Sequence, residues 1–343
     1  MKRLLDRIPL LIALLKRYPG LVALFGFCSG VASFLLVDRQ AHLAKVLGVV
    51  LLISWLWLIL ENLLRERIAQ RFGFELPLPL LRYATQMIHQ ESLFFVLPFF
   101  FITTTWNSGQ VLFSGLLAAA ALASITDPIY YRWLAPRRWL LLILHSLALF
   151  AVMLTALPII FHLTTPQSYR IALVVATLLA LPSLPGLIGG AGWRRILLLA
   201  TLPIVMAGAG WLARVWVPPA TLWLTEVAIS DRFDGRQRTP GDSLQQLTPD
   251  QLRDDGLYAY TAINAPRGLD ERIYHVWQHN GHEVDRIALN ISGGRKEGYR
   301  AWTHKLNFPT APEGRWQVRV VTEAGQMIGV LRFEVLPADS LTR

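Results

Sequence analysis

Long apolar runs fill the first two thirds of the chain, and short polar or basic segments separate them. Seven runs can be delimited, at residues 20–37, 46–60, 93–106, 110–126, 139–161, 171–188 and 196–212. A helix of about 18 to 20 apolar residues is long enough to cross the hydrocarbon core of a bilayer. The pattern therefore predicts an α-helical polytopic membrane bundle of about seven transmembrane helices in residues 1–217.

After Pro219 the hydrophobic period shortens to two, which is typical of β-strands with one buried face. Near the C-terminus, for example, Trp316, Val318 and Val320 alternate with polar side chains. Strands are predicted at 222–230, 257–264, 271–279, 283–291, 298–307, 315–320 and 327–335. Short strands without a long helix predict that residues 218–343 form an immunoglobulin-like β-sandwich, in which two sheets bury their apolar faces against each other.

Two local motifs refine this β-rich region. Asn280 and Gly281 both tolerate positive φ, so they predict a two-residue hairpin turn that makes His279 and His282 neighbours across the hairpin. The sequence at 248–251 places Thr at an N-cap, Pro at the first helical position and Gln where a capping box requires it. One short helix is therefore predicted there.

The formal net charge of +10 is unevenly divided along the chain. Residues 1–217 contain 18 basic and 7 acidic side chains, whereas residues 218–343 contain 15 and 16. Because the excess belongs to the apolar part, it argues against a polyanion-binding surface, and we predict no nucleic-acid partner. Alternate connections between the runs carry 14 and 4 basic residues, which is the pattern of the positive-inside rule.

This bias predicts a cytoplasmic N-terminus, and an odd number of spans then places the C-terminal domain on the outer side. In a bacterium with two membranes, the chain would be a multi-pass inner-membrane protein with a periplasmic domain and with membrane lipids as partners. A cleaved signal peptide is the alternative for the first run, but the basic region before it is long for that purpose.

Ionisable side chains near or within apolar runs are candidates for function, because their desolvation is costly without partners. These candidate intramembrane polar residues are Glu61, His89, Glu91, Asp127 and His145. All except His145 are predicted at cytoplasmic helix ends, where they could converge. The alternative is that they are interfacial capping groups, with His145 a hydrogen-bonded structural residue rather than a proton relay.

A second candidate site lies in the glycine-rich connection before residue 300. Its candidate ligand-binding residues are Arg295, Lys296, Tyr299, Arg300 and Trp302. Backbone amides and cations in such a loop suit an anion, and an exposed aromatic face suits a sugar ring. The alternative is a solvated hairpin tip with Trp302 in the core.

Signatures of catalysis and metal binding are absent from the sequence. The single cysteine, Cys28, excludes an internal disulfide. No nucleophile with a base at a recognisable spacing and no phosphate-binding glycine loop occurs. His275, His279, His282 and His304 match no zinc-ligand spacing. We therefore predict no catalytic residue, no cofactor and no metal site.

Aromatic and glycine anchors in the C-terminal region occur in a characteristic order. They are Leu257-Tyr258-Ala259-Tyr260, His275-x-Trp277-x-x-Asn280-Gly281-x-Glu283-Val284, Tyr299-Arg300-x-Trp302-Thr303-x-Lys305, Gly314-Arg315-Trp316-x-Val318, Gly325 and Phe333-x-Val335. Over about 222–336 this order resembles a bacterial extracytoplasmic domain of unknown function, number twenty-nine fourteen. The whole chain resembles a bacterial inner-membrane family of unknown function, number fifty-nine twenty-four. The resemblance implies an immunoglobulin-like fold and no particular activity.

Three functions remain open from the sequence. We favour a membrane-anchored envelope binding or scaffold module, whose periplasmic domain recognises a glycan, a lipid headgroup or a protein partner. The first alternative is a transporter or lipid-handling protein that works through the helices, with His145 or Glu91 essential. The second is a membrane-embedded enzyme that uses the carboxylates Glu61, Glu91 and Asp127.

Overall fold

The computed structural model describes residues 78–181, 192–254, 256–295 and 297–337, together with Cys28, Val46, residues 49–50 and 52–55, and Leu184. The chain divides into two compact units, which we call the helical unit and the β unit. The helical unit comprises Met1–Phe99, Ser114–Ala156 and Arg170–Leu212. The β unit comprises Phe100–Phe113, Leu157–Tyr169 and Ala213–Arg343. The domain boundary predicted at 217/218 stays a prediction.

The described part of the chain before residue 217 is mainly helical. They are α1 (Leu78–Thr103), α2 (Gln110–Ile125), α3 (Asp127–Ile129), α4 (Arg138–Phe161), α5 (Thr165–Ala180) and α6 (Trp193–Leu212). A π-helical turn, Tyr130–Leu134, continues α3, and a 3₁₀ turn, Ala213–Trp216, continues α6. Pro128 lies at the start of α3, where a missing N–H costs no helical hydrogen bond.

The prediction of about seven transmembrane helices is wrong. Within the described residues, two helices are long and apolar enough to cross a membrane, Arg138–Phe161 and Trp193–Trp216. A third candidate span exists only if α2 and the segment Asp127–Leu134 together form one span. These two helices bend by 91° at their junction. The predicted runs 20–37 and 46–60 lie largely outside the described residues, as does the end of 171–188.

Length and polarity explain the discrepancy. Helix α1 begins at Leu78, well before the predicted run at 93–106, and its added turns carry Arg82, His89 and Glu91. Helices α2 and α5 contain 16 residues each. At about 1.5 Å per residue they are ~24 Å long, which is shorter than the ~30 Å hydrocarbon core.

The C-terminal region is a β-rich sheet domain. Its strands are β1 (Trp223–Ser230), β2 (Phe233–Asp234), β3 (Thr239–Pro240), β4 (Gln246–Leu247), β5 (Leu257–Asn264), β6 (Asp270–His279), β7 (His282–Ser292), β8 (Tyr299–Lys305), β9 (Gly314–Thr322) and β10 (Met327–Val335). One sheet has the order β1-β5-β8 and the other β4-β10-β9-β6-β7, while β2 and β3 pair with each other. The seven longer strands confirm the predicted strand positions to within a few residues.

Both larger sheets contribute to one hydrophobic core. Ile229 and Ile263 from the three-stranded sheet share this core with Trp277, Trp316 and Val318 from the five-stranded sheet. The alternating pattern of the sequence produces it directly, because residues two apart on a strand point to the same face. Burial of the two indole rings, which are each at most 1 % exposed, is a large part of the hydrophobic stabilisation.

Two predicted local motifs are confirmed. Asn280 and Gly281 adopt φ values of 48° and 86°, and His279 pairs with His282. Before the short helix α7 (Pro249–Asp254), the backbone N–H of Thr248 donates to Gln251 Oε1 at 2.9 Å. The hairpin turn and the capping box that the sequence predicts therefore both form.

Two segments that precede α6 belong to the β unit. From the first, the amide Nε2 of Gln110 donates to the carbonyl of Met327 at 2.8 Å. From the second, the backbone N–H of Thr165 donates to the buried carboxylate of Glu271 at 2.8 Å. Burial raises the pKa of Glu271 to about 7, although the hydrogen bonds from Thr165 oppose this shift. The β unit is thus assembled from three separate stretches of chain.

Candidate functional site

The turn between β2 and β3 is shaped by a single carboxylate. Asp234 Oδ1 accepts hydrogen bonds from the backbone N–H groups of Arg236 at 2.8 Å and Gln237 at 3.0 Å. An aspartate that bonds the backbone two residues on is a common turn-forming device. The chain then passes through Arg238 with a φ of 54°, which is rare for a side chain of this size. The turn therefore displays two arginines in a fixed local geometry.

The connection between β7 and β8 is held against the preceding strand connection by two glycines. Gly293 N–H donates to the carbonyl of Leu269 at 2.7 Å, and Gly294 N–H donates to that of Ala265 at 3.1 Å. A Cβ atom on Gly293 would lie 2.0 Å from the carbonyl oxygen of Pro266. Close backbone approach therefore requires glycine here, as the glycine-rich sequence indicates.

A bulge in β1 fixes the other end of this connection. The pairing of β1 with β5 shifts at Thr225, and the Thr225 hydroxyl lies 2.7 Å from the carbonyl oxygen of Glu297 and 3.1 Å from that of Ala262. Gly298 has a φ of 90°, and a Cβ atom there would lie 2.7 Å from the Thr225 hydroxyl and 2.9 Å from the N atom of Ile263. The backbone between Glu297 and the start of β8 is thereby pinned to the three-stranded sheet.

These two turns enclose a cavity of about 460 Å³, which we call the arginine cleft. Its lining residues are Arg236, Gln237, Arg238, Arg295, Glu297, Gly298 and Arg300. Arg300 Nη1 donates to the carbonyl of Gln237 at 3.0 Å and so joins β8 to the β2–β3 turn. None of the four guanidinium groups forms an ion pair with a carboxylate of the described residues. The cleft concentrates positive charge with Glu297 as its one acidic lining residue.

Trp302, two residues after Arg300 on β8, is half-buried. Its ring centroid is 4.5 Å from that of Phe233, and it joins a small cluster around the buried Tyr260. The guanidinium carbon of Arg238 lies 6.0 Å from the Trp302 centroid. Trp302 therefore supports Arg238 from beneath. Tyr299 is half-buried, with Arg295 at 5.8 Å from its ring, and Lys296 lies outside the described residues.

The positive field of the cleft reaches a hydrogen-bonded pair beside it, the buried Tyr260 and the exposed Glu226. Tyr260 Oη donates to Glu226 Oε2 at 3.1 Å. Burial and the nearby carboxylate of Glu226 raise the pKa of Tyr260 to about 12, whereas Arg300 acts in the opposite direction. Tyr260 therefore stays protonated and remains a hydrogen-bond donor at physiological pH.

The predicted intramembrane polar residues have different surroundings in the structure. His89 and His145 are brought together, with Nε2 of the first 3.3 Å from Nδ1 of the second. Asp127 accepts a hydrogen bond from Gln86 at 2.9 Å, while Glu91 is half-buried on α1. Glu61 lies outside the described residues.

Comparison with known families assigns the chain to a family. The Family of unknown function (DUF5924) matches residues 1–259. The chain belongs to this family. A second match, to Protein of unknown function (DUF2914), covers residues 270–335, so it begins later than the predicted start at about 222. No curated protein and no solved structure matches the chain.

The arginine cleft of this DUF5924 member draws on both matched regions. The β2–β3 turn with Arg236 and Arg238 lies within the first match, and Arg295 and Arg300 lie within the second. The cleft is therefore a property of the two regions together.

The four histidines after residue 218 have structural partners or exposed positions. His275 is fully buried between the hydroxyl groups of Thr261 and Thr303, each 3.1 Å away, and burial lowers its pKa to about 3. His279 stacks on Trp316, and His304 stacks on Tyr258. The described residues contain no group of three or more His, Cys, Asp or Glu side chains arranged to hold a metal ion.

Sequence reasoning missed Arg236, Gln237 and Arg238, which lie in a stretch interpreted only as a polar loop. The signal that could have found them is the pair of arginines after Asp234, a residue that favours turns. Their partner Arg300 is 63 residues away from Gln237 in sequence. Local patterns carry no information about such a pairing.

Proposed function

We propose that this chain is a membrane-anchored binding module and that its β unit captures an anionic group of a cell-envelope molecule in the arginine cleft. The observation that supports this is the convergence of four arginines on one cavity without carboxylate partners among the described residues. The four positive charges repel one another at this density. A bound anion attracts each of them, and this attraction offsets the repulsion. A guanidinium group also matches phosphate and carboxylate geometry with two parallel hydrogen bonds.

The chemistry of the cleft favours a phosphate or a carboxylate over a neutral sugar. Phe233 packs against Trp302 and so reduces the aromatic surface on which a sugar ring could stack. An acidic envelope glycan and an anionic lipid headgroup share the required anionic group. Which of the two binds is a question for experiment.

The membrane half supports anchoring. Two helices, Arg138–Phe161 and Trp193–Trp216, are able to cross a bilayer. The distribution of basic residues in the sequence favours a cytoplasmic N-terminus. We further propose that the β unit lies on the outer face of a bacterial inner membrane. In this arrangement the cleft meets the periplasm, where acidic glycans and lipid headgroups are accessible.

The test uses the full chain in phosphatidylcholine nanodiscs, because the β unit includes segments from before residue 218. Co-sedimentation is measured with purified cell-wall sacculi and, separately, with vesicles of phosphatidylglycerol and phosphatidylcholine, at low and moderate salt. We expect salt-sensitive binding to one of them, since exposed charges are screened. The double variant Arg238→Ala/Arg300→Ala should lose at least ~10-fold in affinity, because each charge-assisted hydrogen bond contributes ~1.5–3 kcal/mol.

The matched control is Arg272→Ala, which removes an exposed arginine from the five-stranded sheet. It should bind as the wild type does. Equal binding by wild type and the double variant, or no binding to either target, would reject the arginine cleft as an anion site.

A further inference from the structure

Three aromatic side chains form a hydrogen-bonded line inside the helical unit. Nδ1 of His89 lies 3.1 Å from the hydroxyl oxygen of Tyr130, and Nε2 of the same ring lies 3.3 Å from Nδ1 of His145. Each ring comes from a different element, since His89 is on α1, Tyr130 on the π-helical turn and His145 on α4. Both nitrogens of the central imidazole are therefore engaged with groups that can exchange a proton.

The line is shielded over most of its length. His89 is 0 % exposed and Tyr130 is 2 % exposed, whereas His145 is half-buried. The ring of Trp55 lies 4.3 Å from that of His145, and its indole N–H is engaged by Ser92 Oγ at 3.0 Å. Because the indole donor is already satisfied, Trp55 covers the histidines without fixing their protonation.

A neutral imidazole has one N–H donor and one acceptor nitrogen, so this line has two complete arrangements. In the first, Tyr130 donates to His89 Nδ1, and His89 Nε2–H donates to His145 Nδ1. In the second, His145 Nδ1–H donates to His89 Nε2, and His89 Nδ1–H donates to Tyr130. A purely structural bond, such as that from Gln90 Nε2 to the carbonyl of Ser124, has one direction only.

We propose that Tyr130, His89 and His145 form a proton relay within the helical unit. A proton from water binds His145 Nε2, and the Nδ1 proton of that ring passes to His89 Nε2. The Nδ1 proton of His89 then passes to Tyr130 Oη, which releases its own hydroxyl proton to water. One proton enters and one leaves, and the line converts from the second arrangement to the first. Reorientation of the two imidazole rings and of the Tyr130 hydroxyl restores the second arrangement without returning the proton, so each cycle moves one proton.

The relay is tested with the full chain in liposomes that contain the pH-sensitive dye pyranine, with a potassium gradient and valinomycin to drive proton entry. Wild-type liposomes should acidify several-fold faster than protein-free liposomes. His89→Gln and Tyr130→Phe should both return the rate to that of protein-free liposomes. Ser92→Ala is the control, because it removes a buried hydrogen bond to Trp55 but leaves the line intact.

A wild-type rate equal to that of protein-free liposomes overturns the relay, as does a His89→Gln rate equal to that of the wild type. Where a variant fails to fold, ¹⁵N NMR of wild-type histidines decides the question. A relay requires the proton to populate both nitrogens of His89, and a single fixed tautomer contradicts it. Arg238→Ala/Arg300→Ala should leave the flux unchanged, so that failure of anion binding and failure of the relay are distinguishable.

Discussion

Glu271 is a buried carboxylate whose ionisation is coupled to the packing of the β unit. Both the backbone N–H and the hydroxyl of Thr165 donate to its Oε2 atom, at 2.8 Å and 3.2 Å. These bonds favour the charged form, but burial disfavours it more strongly, and Glu323 adds repulsion. The native state therefore holds a proton on Glu271 at pH values where an unfolded chain has lost it.

The stability of the β unit should fall as the pH rises from about 4.5 to about 7. Over this window the folded state binds more protons than the unfolded state, so the slope of unfolding free energy against pH is negative. The contribution of this one group is about 3 kcal/mol. Thermal unfolding of the full chain in detergent, followed by tryptophan fluorescence at several pH values, measures it.

Glu271→Gln should flatten this pH dependence, because an amide oxygen accepts from Thr165 without titrating. The exposed Glu334 provides the control, and Glu334→Gln should keep the wild-type slope. Parallel curves for wild type and Glu271→Gln would show that the carboxylate is ionised throughout.

The identities of several site residues follow from sequence, but their neighbours do not. The cations Arg295 and Arg300 were predicted because glycines and cations adjoin in one loop. The role of Trp302 as a sugar platform stays a prediction, and in the structure the half-buried ring packs against Phe233. Strand alternation places Trp302 on one face of the sheet but does not say what covers that face.

At the scale of elements, the β7–β8 connection depends on glycine geometry. Gly298→Ala combines a φ of 90° with contacts of 2.7 Å to Thr225 and 2.9 Å to a backbone nitrogen that cannot move aside. We expect a loss of ~2–3 kcal/mol in unfolding free energy and weaker anion binding, because strain and clash displace the loop. Chemical denaturation and the sacculi assay together measure both effects.

Gly281→Ala is the matched control for this substitution. Its φ is 86°, but nothing lies within 4 Å of an added Cβ atom. Its loss should therefore be restricted to backbone strain, ~1 kcal/mol, with no effect on anion binding. Equal losses in the two variants would mean that the contact with Thr225 is unimportant.

Element prediction succeeded where one physical pattern dominates. Strands β9 and β10 alternate apolar and polar side chains, and the hairpin at Asn280 has a turn sequence with few alternatives. The two-residue strands β2, β3 and β4 have no period to detect. The start of helix α1 was predicted too late, because only apolar residues were used to locate it. The first half of the helix contains polar side chains that bond to other elements, as Gln86 does to Asp127.

At the scale of the whole molecule, the β unit depends on chain segments far from its strands. The bonds from Gln110 to Met327, from Thr165 to Glu271 and from Arg214 to Ala324 each join residues at least 106 positions apart. No local pattern predicts such contacts, which is why the sequence suggested an independent domain beginning at residue 218.

A fragment of residues 218–343 should therefore be less stable than the same residues within the full chain. It loses these three hydrogen bonds, worth ~1 kcal/mol each, and leaves the buried Glu271 carboxylate without its donors. Hydrogen exchange of the β6 and β10 amides, compared between fragment and full chain, measures the difference. Equal protection in both would show that the strands alone define the unit.

Gln110 and Met327 are 217 positions apart in sequence, so the ribosome adds them at different times. A ribosome adds about 5–20 residues per second, so ~10–40 s pass between synthesis of the amide donor and synthesis of its carbonyl acceptor. During that interval the nascent chain carries the Gln110 donor without its acceptor, and the acceptor of Thr165, Glu271, is itself synthesised 106 positions after its donor. Completion of the β unit is therefore a late event of biosynthesis, and a chain that terminates before β10 leaves the ribosome with that unit unfinished.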